Sequence, residues 1–246
     1  MTTAQDGVRV EPSAKRVRVF LGGRAVADSS RPLLVWENPY YPTYYFPAED
    51  VDRDLLTPDG ESAHSPERGD AEVFTVKAGP ATAAGAARHY AESPVEELRG
   101  HFRFEWEAMD SWFEEDEEIF VHVRSPHTRI DVLPSSRHIR VEIDGVTIAE
   151  TRNARLLFET GLPTRYYVPQ THVRMDLLER SDTVTRCPYK GTARYWSIRV
   201  GDRLHTDLAW SYPTPLPESQ KAAGLIAFYK VDIYVDGVLH VDPKRR

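Results

Sequence analysis

Apolar and polar residues alternate with a period of two in several short runs along the chain. Val17, Val19 and Leu21 alternate with Arg16, Arg18 and Phe20 before Gly22-Gly23, the pattern of a half-buried strand entering a hairpin turn. "IRVEIDG" (139–145) repeats it with an Asp144-Gly145 turn. Phe102, Phe104 and Trp106 share one face of "HFRFEW". Trp196, Ile198 and Val200 share one face of "WSIRVGD", and Val231, Ile233 and Val235 one face of "VDIYVDG". Helix signals are brief: Ser93-Pro94-Val95-Glu96 fits a capping box with proline at the first helical position, and Pro217-Glu218 opens a corresponding turn. Short strands punctuated by Pro and Gly turns predict small antiparallel sandwiches or rolled sheets. Segments 57–70 and 125–136 lack periodicity and read as a loop and a linker.

The pattern is duplicated. Shifted by 122 positions, residues 17–56 lie without a gap on 139–178, and thirteen of those forty positions are identical, among them Glu37/Glu159, Tyr44/Tyr166, Tyr45/Tyr167, Pro47/Pro169 and Asp54/Asp176. The offset persists through "FTVKAG" (74–79) against "WSIRVG" (196–201), and through Ala87 and Tyr90 against Ala209 and Tyr212. After a two-residue slip, Gly100 and Phe104 fall on Gly224 and Phe228. A fixed period of this length means tandem copies of one unit. The expected organisation is a disordered tail over 1–15, a first β domain over 16–124, a linker over 125–136 and a second β domain over 137–242.

Three blocks carry a family resemblance: "LLVWE…PTYYFP…DVDRDLL", "FEWEAMDSWFEEDEEIFVHVR" (104–124) and "KGTARYWSIRVGDR…AWSYPTPLPE…GLIAFY" (190–229). Together they resemble the bacterial domain of unknown function 427 in its tandem two-copy form, over about residues 16–240. The resemblance implies a compact all-β domain of tent-like sheet arrangement. A nucleotidyltransferase label is attached to that family, but it names no catalytic residues to carry over.

Composition narrows the function classes. The 28.1 kDa chain has a net charge of −7 and no basic stripe beyond Lys244, Arg245 and Arg246, which argues against a nucleic-acid or anionic-membrane surface. A lone Cys187 permits no intramolecular disulfide and no thiolate zinc site. The first fifteen residues lack the apolar core of a signal peptide, and no stretch approaches the roughly 18 apolar residues of a membrane span. The expectation is a cytoplasmic protein, monomeric or weakly oligomeric, with no cofactor or metal called for.

Candidate chemistry is sparse. Nucleotidyl transfer needs carboxylates gathered on a rigid strand to hold magnesium; "EDVDRD" offers Asp50, Asp52 and Asp54, but the second copy has His172, Arg174 and Asp176 there. The acidic run 105–118 reads as a solvated surface or edge guard, and His122, Arg124, His127 and Arg129 as neutralising it or clamping an anion. Cys187 has no neighbouring base.

The recurring feature is a nearly apolar strand ending on a carboxylate, Glu37 or Glu159, which must be paired if buried. A tyrosine pair follows, Tyr44-Tyr45 or Tyr166-Tyr167, and alternation sends the two rings to opposite sides, one into the core and one to the surface or a cleft. The candidate ligand residues are therefore Glu37, Tyr44, Tyr45, Asp54 and Trp106 in the first copy. In the second they are Glu159, Tyr166, Tyr167, Asp176, Trp196, Trp210 and Tyr212. They would form an aromatic-plus-carboxylate pocket for a small, partly aromatic or cationic molecule. An enzyme acting on a nucleotide or other phosphorylated compound, and a purely structural or interaction module, are the alternatives.

Overall fold

The computed structural model describes residues 7–240, and strands make up 57% of them. The chain divides into two units, Met1–Ser125 and Pro126–Arg246. The first carries β1 (Arg9–Pro12), β2 (Val17–Leu21), β3 (Arg24–Ser29), β4 (Leu33–Trp36), β5 (Thr43–Pro47), β6 (Leu56–Ser65), β7 (Gly69–Ala78), β8 (Ala81–Tyr90), β9 (His101–Phe104), β10 (Ser111–Glu114) and β11 (Glu117–Ile119). The second carries β12 (Ile130–Ser135), β13 (Ile139–Ile143), β14 (Val146–Thr151), β15 (Ala154–Glu159), β16 (Arg165–Tyr167), β17 (Leu178–Cys187), β18 (Gly191–Val200), β19 (Arg203–Ser211), β20 (Ala227–Phe228), β21 (Asp232–Val235) and β22 (Val238–His240).

Each unit has the same topology. In the first, a long sheet runs β1-β4-β5-β9-β8-β7-β6 and a short one β11-β10-β2-β3. In the second, β12-β15-β16 and β20-β19-β18-β17 are joined by the backbone pair Val168–Ile226, and the short sheet runs β22-β21-β13-β14. Registers repeat at the 122-residue offset: Leu34 faces Tyr44 as Leu156 faces Tyr166, and Val19 faces Ala27 as Val141 faces Ala149.

One face of each long sheet packs on the short sheet. Val17, Val19, Tyr44, Phe46, Phe104 and Trp112 build that core in the first unit, and Ile139, Val141, Tyr166, Val168 and Phe228 in the second. The opposite face covers a second, smaller core, formed by Val35, Tyr45, Ala71, Tyr90 and Leu98 or by Leu157, Tyr167, Ala193, Trp210, Tyr212 and Ala222. Short 3-10 turns, Glu96–Leu98 and Pro217–Ala222, close over it. The capping box expected at Ser93 does not form: the first of these turns begins at Glu96 with Val95 at its N-cap and no side-chain cap. The Ser93 hydroxyl oxygen instead accepts from the Val95 N–H at 3.1 Å while its hydroxyl donates to the Arg68 carbonyl at 2.7 Å.

Three segments differ from the expectation drawn from periodicity. β1 lies inside the stretch read as a tail and pairs with β4, and β12 lies inside the stretch read as a linker and pairs with β15. Both are edge strands containing a proline, Pro12 and Pro134, so their register is imposed by the inner neighbour rather than by an alternation of their own. Residues 57–70 form most of a β6–β7 hairpin whose outer strand is polar on both faces, which leaves no hydrophobic period to detect. The basic end Lys244 to Arg246 lies outside the described residues.

Candidate functional site

Both tyrosines of each pair are buried, because β5 and β16 are covered on both faces: Tyr44 and Tyr166 enter the main core, Tyr45 and Tyr167 the second. Alternation assigns the sides correctly, but neither ring stands at the surface. The Tyr44 hydroxyl donates to the buried Glu114 at 2.9 Å, and Lys15 pairs with the same carboxylate. The Tyr45 hydroxyl points to the far face and donates to Glu37 Oε1 at 2.7 Å.

Glu37 follows the last residue of β4. Arg103 on β9 grips it with both ends of the guanidinium, Nε to Oε1 and Nη2 to Oε2, each at 3.1 Å. Arg103 also pairs with Glu105, which pairs with Arg88 on β8 at 2.9 Å. Burial alone would raise Glu37, but the Arg103 charge and the Tyr45 and Arg103 hydrogen bonds hold its carboxyl below the usual range. Burial, with the Glu37 charge beside it, pushes the Tyr45 phenol far up, so it stays a neutral donor. This network borders a cleft of about 530 Å³ lined by Tyr41, Trp106, Glu107 and His122. Tyr41 and His122 stack there at 4.0 Å with 16° between planes, and Val121, a β-branched residue at φ 75°, presents that histidine.

The second unit keeps the carboxylate and replaces its surroundings. Register fixes the equivalence: Arg88 faces Arg103 between β8 and β9, and Trp210 faces Ala227 between β19 and β20. Trp210 thus stands for Arg88, Ala227 for Arg103, and Tyr229, two residues on, for Glu105. Glu159 pairs instead with Lys190, Nζ to Oε2 at 2.5 Å, and both side chains are about nine-tenths covered. Lys190 occupies the position of Arg68, which donates to the Tyr90 hydroxyl at 3.5 Å in the first unit. Trp210 meets Tyr167 edge to face at 6.4 Å and Tyr229 edge to face at 5.4 Å. These groups, with Tyr195, Tyr212, Leu162, Pro163 and Arg165, line a cleft of about 340 Å³.

The structure therefore brings Glu37 and Trp106 to one cleft, with Tyr45 fully buried behind Glu37, and Glu159, Tyr167, Trp210 and Tyr212 to the other. Tyr44 and Tyr166 face the opposite side of the sheet, and Trp196 is half-buried against the main core. Asp54 lies exposed in a 3-10 turn and Asp176 is exposed and paired with Arg174 at 2.7 Å, so neither reaches a cleft. Asp50 accepts from Ser29 and Asp52 pairs with Arg24, and no three His, Cys, Asp or Glu side chains among the described residues converge as a metal site requires. Within the acidic run, Glu105 pairs with Arg88 and Arg103, Glu114 with Lys15, and Asp116 with Arg18. Of the His/Arg segment after it, Arg129 pairs with Asp131 and His122 stacks on Tyr41. Lys190, Tyr195 and Tyr229 were not among the sequence candidates. The 122-residue offset of Lys190 from Arg68 is the one signal that could have pointed to it.

Fold and site together define an all-β protein of two tandem units, each with a carboxylate where β4 or β15 ends, opening on the second core. The family model described as domain of unknown function (DUF427) matches residues 9–115 and 131–237, two copies displaced by the same 122 residues, and the chain belongs to that family. The matches begin at β1 and beside the start of β12, the strands that periodicity alone assigned to tail and linker. No curated protein matches the chain. Among the described residues no helix is long and apolar enough to cross a membrane.

Proposed function

We propose that the protein binds a small, partly aromatic molecule in the cleft of its second unit. One observation carries this reading: at register-equivalent positions, the ion-paired Arg88, Arg103 and Glu105 of the first unit give way to Trp210, Ala227 and Tyr229. In the first unit both Glu37 oxygens are engaged by protein donors, so the carboxylate is internally satisfied. In the second, Glu159 Oε1 accepts no bond from any described residue, and the walls are aromatic. Concave sites with aromatic walls and a few placed polar groups are the usual form of small-molecule sites.

Native mass spectrometry of the protein purified from its own host tests the proposal. A bound compound absorbing in the aromatic range, one per chain and lost in Trp210→Ala, supports it. A compound retained undiminished by Trp210→Ala contradicts it.

A further inference from the structure

The first unit contains a picture of what the second lacks. Arg103 lays a planar guanidinium against Glu37, two N–H groups on two carboxylate oxygens, and Ala227 stands at the same register on β20. No side chain from that register reaches the carboxylate in the second unit as Arg103 does in the first, and Ala227 itself is fully buried in the second core. The charge balance has changed with it. Arg103 is shared between Glu37 and Glu105, whereas the second unit has Tyr229 in place of that second carboxylate. Glu159 and Lys190 form a pair that is already neutral. A further cation would meet Lys190, with Arg165 also lining the cleft, and an anion would set an acceptor oxygen against Glu159 Oε1, which is itself an acceptor; either costs free energy beside side chains this covered.

Two polar functions remain open. Glu159 Oε1 is an acceptor with no donor among the described residues, and the Lys190 ammonium has three N–H groups, one of them committed to Oε2. We infer that the cleft takes the amide or lactam edge of a neutral planar aromatic molecule, its N–H donating to Glu159 Oε1 and its carbonyl accepting from Lys190 Nζ. The ring lies among Trp210, Tyr229 and Tyr195. This inference rests on the reading of the second-unit cleft as a ligand site.

Three nearly isosteric probes separate the possibilities: benzamide, benzoate and benzamidine, titrated into the full chain and followed by calorimetry and ligand-observed NMR. Benzamide offers donor and acceptor side by side, benzoate two acceptors, benzamidine two donors. Benzamide is expected to bind tightest, by on the order of tenfold, because each of the others leaves one buried partner unpaired. Equal binding of all three, lost in Trp210→Ala, overturns the donor–acceptor edge while leaving the aromatic cleft standing. Binding of none of them, or binding unaffected by Trp210→Ala, overturns both. In Glu159→Gln the new amide N–H₂ beside Lys190 is expected to move the preference from benzamide to benzoate, and an unchanged preference counts against the inference. Ala227→Arg restores the guanidinium of the first unit and should weaken benzamide by on the order of tenfold or more; undiminished binding there refutes the assignment of the vacated position.

Discussion

Glu37 is the residue on which the first unit's second face depends, since three donors on two side chains converge on a carboxylate that is about 15% exposed. Removing one partner of a covered pair leaves the other charged and desolvated, so Arg103→Ala should destabilise the first unit by about 3–5 kcal/mol. Adding Glu37→Gln to that variant should recover part of the loss, because an amide tolerates the vacated site better than a charge. Denaturant unfolding of the two variants measures both. The sign of the pH dependence follows from the same geometry. The Glu37 carboxyl is held below its ordinary value of 4.5 in the folded state, so its contribution is fully present above that pH and is lost as pH falls through the folded value. Burial likewise holds His122 below 6.5, so stability that depends on its neutral ring is present above pH 6.5 and lost as pH falls below it. The first unit should therefore weaken in acid, less steeply in Glu37→Gln. A thermal melt of that variant with an acid limb as steep as the parent's would show that the network does not set it.

At the scale of elements, most of the β architecture is written in local alternation. β2, β9, β13 and β18 each show a two-residue period, and the hairpin turns after β2, β13 and β18 fall where glycine permits a positive φ. The edges are where local reading runs out. β1 and β12 take their register from β4 and β15, and β6 is polar on both sides, so pairing rather than pattern forms them. The site was half legible for a related reason. A carboxylate after an apolar strand announces a partner without naming it, and Arg103, Lys190 and Tyr229 arrive from distant strands. Gly22 gives a sharp test of packing between elements. It lies at φ 57°, and a Cβ there would come within 2.5 Å of the Ala78 carbonyl oxygen, whereas Gly145 at φ 78° faces open space. Gly22→Ala should cost more than Gly145→Ala by about 1–3 kcal/mol, since only the first must push the β2–β3 turn off the β7–β8 turn. Equal costs in denaturant unfolding would show that this contact is not tight in solution.

At the scale of the whole molecule, two units with separate cores and matching topology should be separately foldable. Fragments 1–125 and 126–246 are each expected to unfold cooperatively, and a fragment with no thermal transition would show that its core depends on the other unit. The duplication also explains how one family scaffold can hold two different sites. Each copy keeps the main core, the glutamate and the two tyrosines, while the Tyr45–Glu37 hydrogen bond has no counterpart among the described residues, and positions 88, 103 and 105 and their counterparts 210, 227 and 229 are exchanged as a set, charged network for aromatic walls. The central claim is that ligand capacity lies in the second copy. Its most direct test is an amide-resolved NMR titration of the full chain with a panel of small aromatic compounds. Saturable shifts gathered at Glu159, Tyr167, Lys190, Trp210 and Tyr229, with Glu37, Tyr45 and Arg103 unmoved, are the expected result. Saturable shifts around Glu37 and Arg103 instead, or none at the Glu159 cleft with any compound, would contradict the account.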